Sequence, residues 1–127
     1  MNQALKVLIV DDDLLIREML RLIISEAELI VCGEAGDSAT TRQLLKENLP
    51  NVVLLDIVLA GDDDGLDLLY FIKKEYPEIH VIMVSGEPSS ERVQTAISNG
   101  ACGFIVKPFN AQNVMTTFKR LIPTQLT

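Results

Sequence analysis

Histidine is almost absent from this 127-residue chain: His80 is the only one, and no second imidazole or thiol stands where it could share a metal with it. Cysteine is nearly as scarce. Cys32 and Cys102 form no Cys-x-x-Cys and have no metal-ligand spacing, so they read as reduced, packed thiols. No apolar run approaches the length that spans a bilayer, and no basic stretch precedes an apolar segment at the N-terminus as in a secretory signal. Basic charge is also in deficit. Eleven Lys and Arg against 18 Asp and Glu leave a net charge of −7, which disfavours bulk attraction to nucleic acid or an anionic membrane. The expectation is one cytoplasmic domain over residues 1–127, with the size and the 48% hydrophobic content to bury a substantial core.

What the chain does have is acid in an unusual place. Lys6-Val-Leu-Ile-Val-Asp-Asp-Asp13 is an aliphatic run without polar alternation, the pattern of a strand buried on both faces, and it ends in three adjacent carboxylates. Carboxylates about 4 Å apart repel by roughly 4 kcal/mol at an effective dielectric near 20. Such a cluster must splay into water, take up protons or share a cation. A fourth acid at the end of a second buried run, Val52-Val-Leu-Leu-Asp56, favours the cation.

Leu14 to about Glu26 follows the first strand, with Ile16, Met19, Leu20 and Ile23 at the spacing of a helix packed on a core. Leu29 to Glu34 reads as the second strand. Gly36-Asp37-Ser38 breaks it and caps a helix to about Asn48, which Pro50-Asn51 stops. After the Val52–Leu55 strand, a loop to Gly65 leads into a helix over Leu66–Glu75, closed by Tyr76-Pro77. Val81–Val84 is the fourth strand, and Ser89 or Ser90 opens a helix presenting Val93, Ala96, Ile97 and Gly100 on one face. Phe104–Val106 is the fifth strand. Asn110 caps a last helix with Val114, Met115, Phe118, Leu121 and Ile122 inward, ended by Pro123.

Strict βα alternation implies an α/β fold, a doubly wound parallel sheet of five strands with right-handed crossovers and helices on both faces. The active crevice of such a sheet lies at the carboxyl ends of its strands. Here those ends carry Asp11 to Asp13, Asp56, Ser85 and Lys107. Two or three carboxylates suit Mg²⁺, which keeps several waters and recruits phosphate oxygens. A lysine and a hydroxyl beside them suit an anion bound against that metal. Asp56 is then a third ligand or the nucleophile of phosphoryl transfer, a reaction that needs positioning and charge neutralisation more than a histidine.

Val10-Asp11-Asp12 with Arg17 five residues beyond, Leu54-Leu55-Asp56, Val84-Ser85-Gly86 and Lys107-Pro108-Phe109 occur in order from about Lys6 to Ile122. In this the chain resembles the receiver domains of two-component response regulators, chemotaxis-type single-domain members included. The resemblance implies a flavodoxin-like (βα)₅ fold with strand order 2-1-3-4-5. It implies that Asp56 is the phosphoacceptor, Asp12 the direct Mg²⁺ ligand and Asp11 a ligand mainly through water, with the Val58 backbone carbonyl completing the set. Mn²⁺ would substitute for Mg²⁺. Ser85 and Lys107 would hold the phosphoryl oxygens, assisted by the Gly86 amide, and the Lys107–Pro108 bond would be cis. Asp13 falls outside the metal pair and reads as a first-turn acid. Phosphorylation would draw in the loop after strand four, with Phe104 burying its ring, and switch the face made by helix four, strand five and helix five.

The resemblance also implies partners: a histidine kinase or histidine phosphotransfer protein meeting Leu15, Glu18 and Leu22 on the first helix, and a downstream protein target, with the chain a monomer or a phosphorylation-dependent dimer. Nucleic acid and membrane are not among them. On this fold Cys32 and Cys102 lie on opposite sheet edges, roughly 19 Å apart, beyond the about 7 Å a disulfide allows. Some residues depart from the family pattern. Leu59-Ala60 replaces the usual apolar–proline pair, the loop to Gly65 is one residue longer, and Asp62 to Asp64 read as solvated or helix-capping acids. Val58 is apolar and cannot orient a hydrolytic water, although Glu87 is placed to do so, so a long-lived phosphoryl group is expected. Two other readings stand beside the phosphoacceptor. One is a receiver-like adaptor that works unphosphorylated. The other is a phosphoaspartate hydrolase of haloacid dehalogenase type, which needs acids after the lysine where this chain has no Asp or Glu beyond Lys107. A stand-alone signalling shuttle is expected rather than a module cut from a longer regulator.

Overall fold

The structure, a computed structural model, describes residues 5–61, 64–86 and 89–121, with residue 121 described through its backbone alone. Five strands alternate with five helices: β1 (Lys6–Val10), α1 (Leu14–Glu26), β2 (Ile30–Ala35), α2 (Ser38–Asn48), β3 (Val52–Asp56), α3 (Gly65–Glu75), β4 (His80–Ser85), α4 (Ser90–Ser98), β5 (Gly103–Val106) and α5 (Ala111–Leu121). The strands pair in parallel in the order β2-β1-β3-β4-β5. β1, β3 and β4 lack polar alternation because both their faces are covered. Leu8, Leu55 and Met83 point to one layer with α2, α3 and α4, while Ile9, Leu54 and Ile82 point to the other with α1 and α5.

Each helix starts on a side chain that accepts from its own first turn. Asp13 takes the amides of Leu15 and Ile16, Asp37 that of Thr40, Asp64 that of Leu66, Ser89 that of Arg92 and Asn110 that of Asn113. Each such cap contributes about 1 kcal/mol. Asp13 is thus the helix cap and not the first-turn acid the sequence suggested, and Asp64 is a cap as expected. Asp62, Asp63 and Glu87 lie outside the described residues.

Two faces differ from the sequence expectation. On α1 the buried residues are Leu20 and Ile24, with Ile16 and Ile23 partly packed, whereas Met19 is exposed. On α4 Ala96 alone is buried, and Ile97 turns to the surface. Apolar residues surround most of α1, so the sheet beneath decides which stripe is covered, whereas α4 has only Val93, Ala96 and Ile97 and buries the smallest of them. α5 buries Val114 and Phe118 with Met115 partly packed, and Thr117 joins them by donating its hydroxyl to the Asn113 carbonyl. The expected inward side chains of Leu121 and Ile122 lie outside the described residues. Cys32 on edge strand β2 and Cys102 beside edge strand β5 are both free thiols.

Candidate functional site

β1 and β3 are adjacent central strands, with Val10 opposite Leu55, so Asp11 and Asp56 leave the sheet side by side. Both are buried, 1% and 6% exposed, whereas Asp12 faces solvent. One carboxylate oxygen from each of Asp11, Asp12 and Asp56 lies within 4.8 Å of the others. Three acids so close repel one another, and a cation among them relieves that repulsion. Lys107 supplies part of that positive charge from the end of β5, its Nζ donating to Asp11 Oδ2 at 2.8 Å and to Asp56 Oδ2 at 3.1 Å. The Lys107–Pro108 peptide is cis, as expected. Ser85 is buried at the end of β4, and its carbonyl accepts from the Lys107 amide at 2.9 Å.

The charges are not balanced by the single ammonium. Burial, and then the Asp11 charge, push the Asp56 carboxyl above its ordinary range, although Lys107 and the Val58 amide pull the other way. Lys107 is depressed by burial, but hydrogen bonds and charge from Asp11, then Asp56, outweigh that and hold its ammonium above the usual lysine range. Two buried carboxylates and one exposed carboxylate against one lysine form an oxygen-rich, electron-rich set. That set fits a hard divalent ion.

The backbone around these side chains is held closely. The Asp13 amide donates to Asp11 Oδ1 at 2.9 Å, and the Asp11 amide donates to the Ala35 carbonyl on β2 at 2.9 Å. The Val58 amide reaches Asp56 Oδ1 at 3.3 Å, so the backbone two residues beyond Asp56 turns back on its carboxylate. That turn needs Gly65. A Cβ there would sit 2.0 Å from the Asp56 carbonyl oxygen and 2.7 Å from the Ile57 Cα. In the sequence Gly65 stands only as the end of a loop. A glycine in first helical position, where propensity disfavours it, was the signal that something approaches closely. Gly36 was likewise read only as a breaker, yet its carbonyl ties down the loop after Asp56 through the Ala60 amide at 3.1 Å.

Asp11, Asp12, Asp56, Ser85 and Lys107 thus stand together at the carboxyl edge of the sheet. Phe104 is half-buried against the α2–α4 layer. Leu15, Glu18 and Leu22 are elsewhere, on the solvent side of α1, with Leu15 and Leu22 66% and 51% exposed and Glu18 ion-paired to Arg21. The family model of the response regulator receiver domain matches residues 7–119. The chain belongs to that family. It is 36% identical to a Listeria monocytogenes chemotaxis protein, CheY, over 91% of this chain and 97% of that one. It is 39% identical to the nitrogen assimilation regulatory protein NtrX of Azorhizobium caulinodans, over 93% of this chain but 26% of that one. The crystal structure of the NtrX receiver domain from Brucella abortus superposes with a TM-score of 0.84 at 37% identity, covering 93% of this chain and 98% of that one. The chain spans about a quarter of NtrX and about half of a Bacillus subtilis C4-dicarboxylate response regulator that it also resembles.

As a receiver, the chain is homologous to phosphoacceptor domains of two-component signalling, in which a histidine kinase is the partner class. Receivers typically hold Mg²⁺ at an acidic cluster, and the three aspartates form a candidate for it. No helix among the described residues is long and apolar enough to cross a membrane.

Proposed function

We propose that this receiver accepts a phosphoryl group on Asp56 and serves as a signalling protein that acts catalytically on itself alone. The observation that carries the reading is the Lys107 ammonium held between the carboxylates of Asp11 and Asp56. By opposing the burial of Asp56 it helps keep that carboxylate ionised and nucleophilic near neutral pH. An Asp56 oxygen attacks phosphorus, the bond to the donor's nitrogen or oxygen breaks, and the leaving group departs with the electron pair. The Lys107 ammonium and the Ser85 hydroxyl then lie at the strand ends where the transferred oxygens must be met. Asp11, Asp12, Asp56 and the Val58 backbone carbonyl are the groups that would hold Mg²⁺, which supplies charge neutralisation for the phosphoryl oxygens when bound. Mn²⁺, with similar oxygen-ligand chemistry, would serve in its place.

The phosphoryl donor is a histidine kinase or phosphotransfer protein, docked on the exposed Leu15, Glu18 and Leu22 of α1. Repacking of Phe104 as Ser85 and Lys107 engage the phosphoryl group would carry the signal to α4, β5 and α5, for a protein target in the cytoplasm. Incubation with acetyl phosphate and Mg²⁺, followed by intact-mass measurement, tests the chemistry. One phosphoryl adduct is expected, and none in Asp56→Asn. An adduct that survives Asp56→Asn and disappears in Asp11→Asn would instead favour hydrolase-like chemistry on Asp11.

A further inference from the structure

Arg17 has no part in the chemistry above, yet its side chain runs back from the first turns of α1 to the acidic loop. Its Nη1 donates to the Asp11 carbonyl oxygen at 2.7 Å, and its Nε lies 3.3 Å from Glu34 Oε1 on β2. The Nε is buried and makes no hydrogen bond, so its contact with Glu34 is one of charge alone. A buried donor left so costs stability. A guanidinium placed purely for the ion pair would satisfy that donor first. Arg17 packs against residue 36, which has no side chain: a Cβ on Gly36 would come within a tight 3.2 Å of Arg17 Nη1, and within ordinary contact, 3.5 Å, of the Asp12 Cα.

The bond lands on the carbonyl of the peptide that joins Asp11 to Asp12. The Asp11 amide is held by Ala35 and the Asp13 amide by Asp11 Oδ1, so the carbonyl is the remaining handle on that segment. Rotation of the Asp11–Asp12 peptide plane would swing the Asp12 side chain away from Asp56. Asp12 is exposed, so packing does not hold it. We propose that Arg17 is a positioning residue for the metal-binding acids: seated in the niche left by Gly36, it fixes the Asp11–Asp12 peptide and so keeps the Asp12 carboxylate aimed at Asp56. The inference rests on the phosphoacceptor reading of this site. Partners that orient metal ligands typically change affinity about 10- to 100-fold when removed.

Charge gives the test its sign. Removing a cation near three carboxylates should, by electrostatics alone, tighten Mg²⁺ binding, whereas loss of positioning should weaken it. Mg²⁺ is titrated calorimetrically into the unphosphorylated full chain, and metal-free unfolding is followed in EDTA. Arg17→Met is expected to bind Mg²⁺ about 10-fold more weakly than the parent. The double variant Arg17→Met, Glu34→Gln, which removes the ion pair at constant net charge, should be weakened similarly. Glu34→Gln alone should stay within about twofold. Gly36→Val keeps every charge and puts branched methyls where a Cβ alone would already stand 3.2 Å from Nη1, so it is expected to lose affinity several-fold, and it decides the matter if the double variant does not fold. Tighter binding by Arg17→Met, or parent-like binding by both the double variant and Gly36→Val, would overturn the role of Arg17. A parent chain that binds no Mg²⁺ at millimolar concentration would instead remove the phosphoacceptor reading, and this inference with it.

Discussion

Leu49 closes α2 in the left-handed region, at φ 44° and ψ 66°, while leaving its side chain 60% exposed. A Cβ in that region costs on the order of 1 kcal/mol, and the helix C-terminus is where glycine is favoured. Leu49→Gly should therefore raise stability by roughly 0.5 kcal/mol, read as a higher urea midpoint at unchanged slope. Gly65 is the opposite case. Gly65→Ala drives a methyl into the Asp56 carbonyl oxygen, 2.0 Å away, where backbone must yield. A loss of about 3 kcal/mol or more is expected in denaturant unfolding, with Mg²⁺ binding lost as the Asp56 loop shifts. Val58 sits beside Asp56 with its side chain 57% exposed and no polar atom to orient water. Val58→Asn should speed loss of the phosphoryl group several-fold, followed as decay of the intact-mass adduct. An unchanged rate would refute the long-lived phosphoryl group expected from this residue.

α1 shows how far an element can be read before the fold is known. Its start was legible to within a residue: the sequence reads Asp13 as a first-turn acid, and in the fold it stands one place earlier, as the cap. Its buried face was less so. Leu14, Leu15, Ile16, Met19, Leu20, Leu22, Ile23 and Ile24 surround the helix, and more than one stripe fits the period. The sheet selects Leu20 and Ile24, which leaves Leu14, Leu15, Met19 and Leu22 in water. That surplus of apolar surface on one solvent face is what supports docking of a helical partner there. Leu15→Asp should slow phosphoryl transfer from the cognate kinase by about tenfold, a barrier of about 1.4 kcal/mol, and leave transfer from acetyl phosphate unchanged. Equal slowing with both donors would place the defect in the site and not in docking.

At the scale of the whole molecule, strand alternation and polar strand ends made the site legible, because a parallel sheet must deliver Asp11, Asp56, Ser85 and Lys107 to one edge. The partners within the site were not legible. Sequence assigns Lys107 to a phosphate, whereas in the fold its ammonium also meets the carboxylates of Asp11 and Asp56. This has a consequence for stability. Burial, then Asp11, raise the Asp56 carboxyl in the fold, so the folded chain holds that proton to higher pH than the unfolded chain does. Between the ordinary carboxylate range and that raised value, the native state binds more protons. Stability from this group thus increases as pH falls through the window, and is lowest above it. Asp37 works in the other direction, since hydrogen bonds from Thr40 hold its carboxyl low and its contribution fades as pH falls. The difference between parent and Asp56→Asn isolates the one group. In EDTA at neutral pH the variant should be the more stable by on the order of 1 kcal/mol, and the gap should close on acidification. Saturating Mg²⁺ should invert the order. Metal at 100 times its dissociation constant adds about 2.7 kcal/mol to a protein that binds it only when folded, and the variant, lacking one ligand, gains less. Thermal unfolding of both proteins across pH, with EDTA and with Mg²⁺, measures each part. A parent that is the more stable in EDTA at neutral pH would show that Lys107 alone suffices for the charge of Asp11 and Asp56, and that the cluster has no need of a metal.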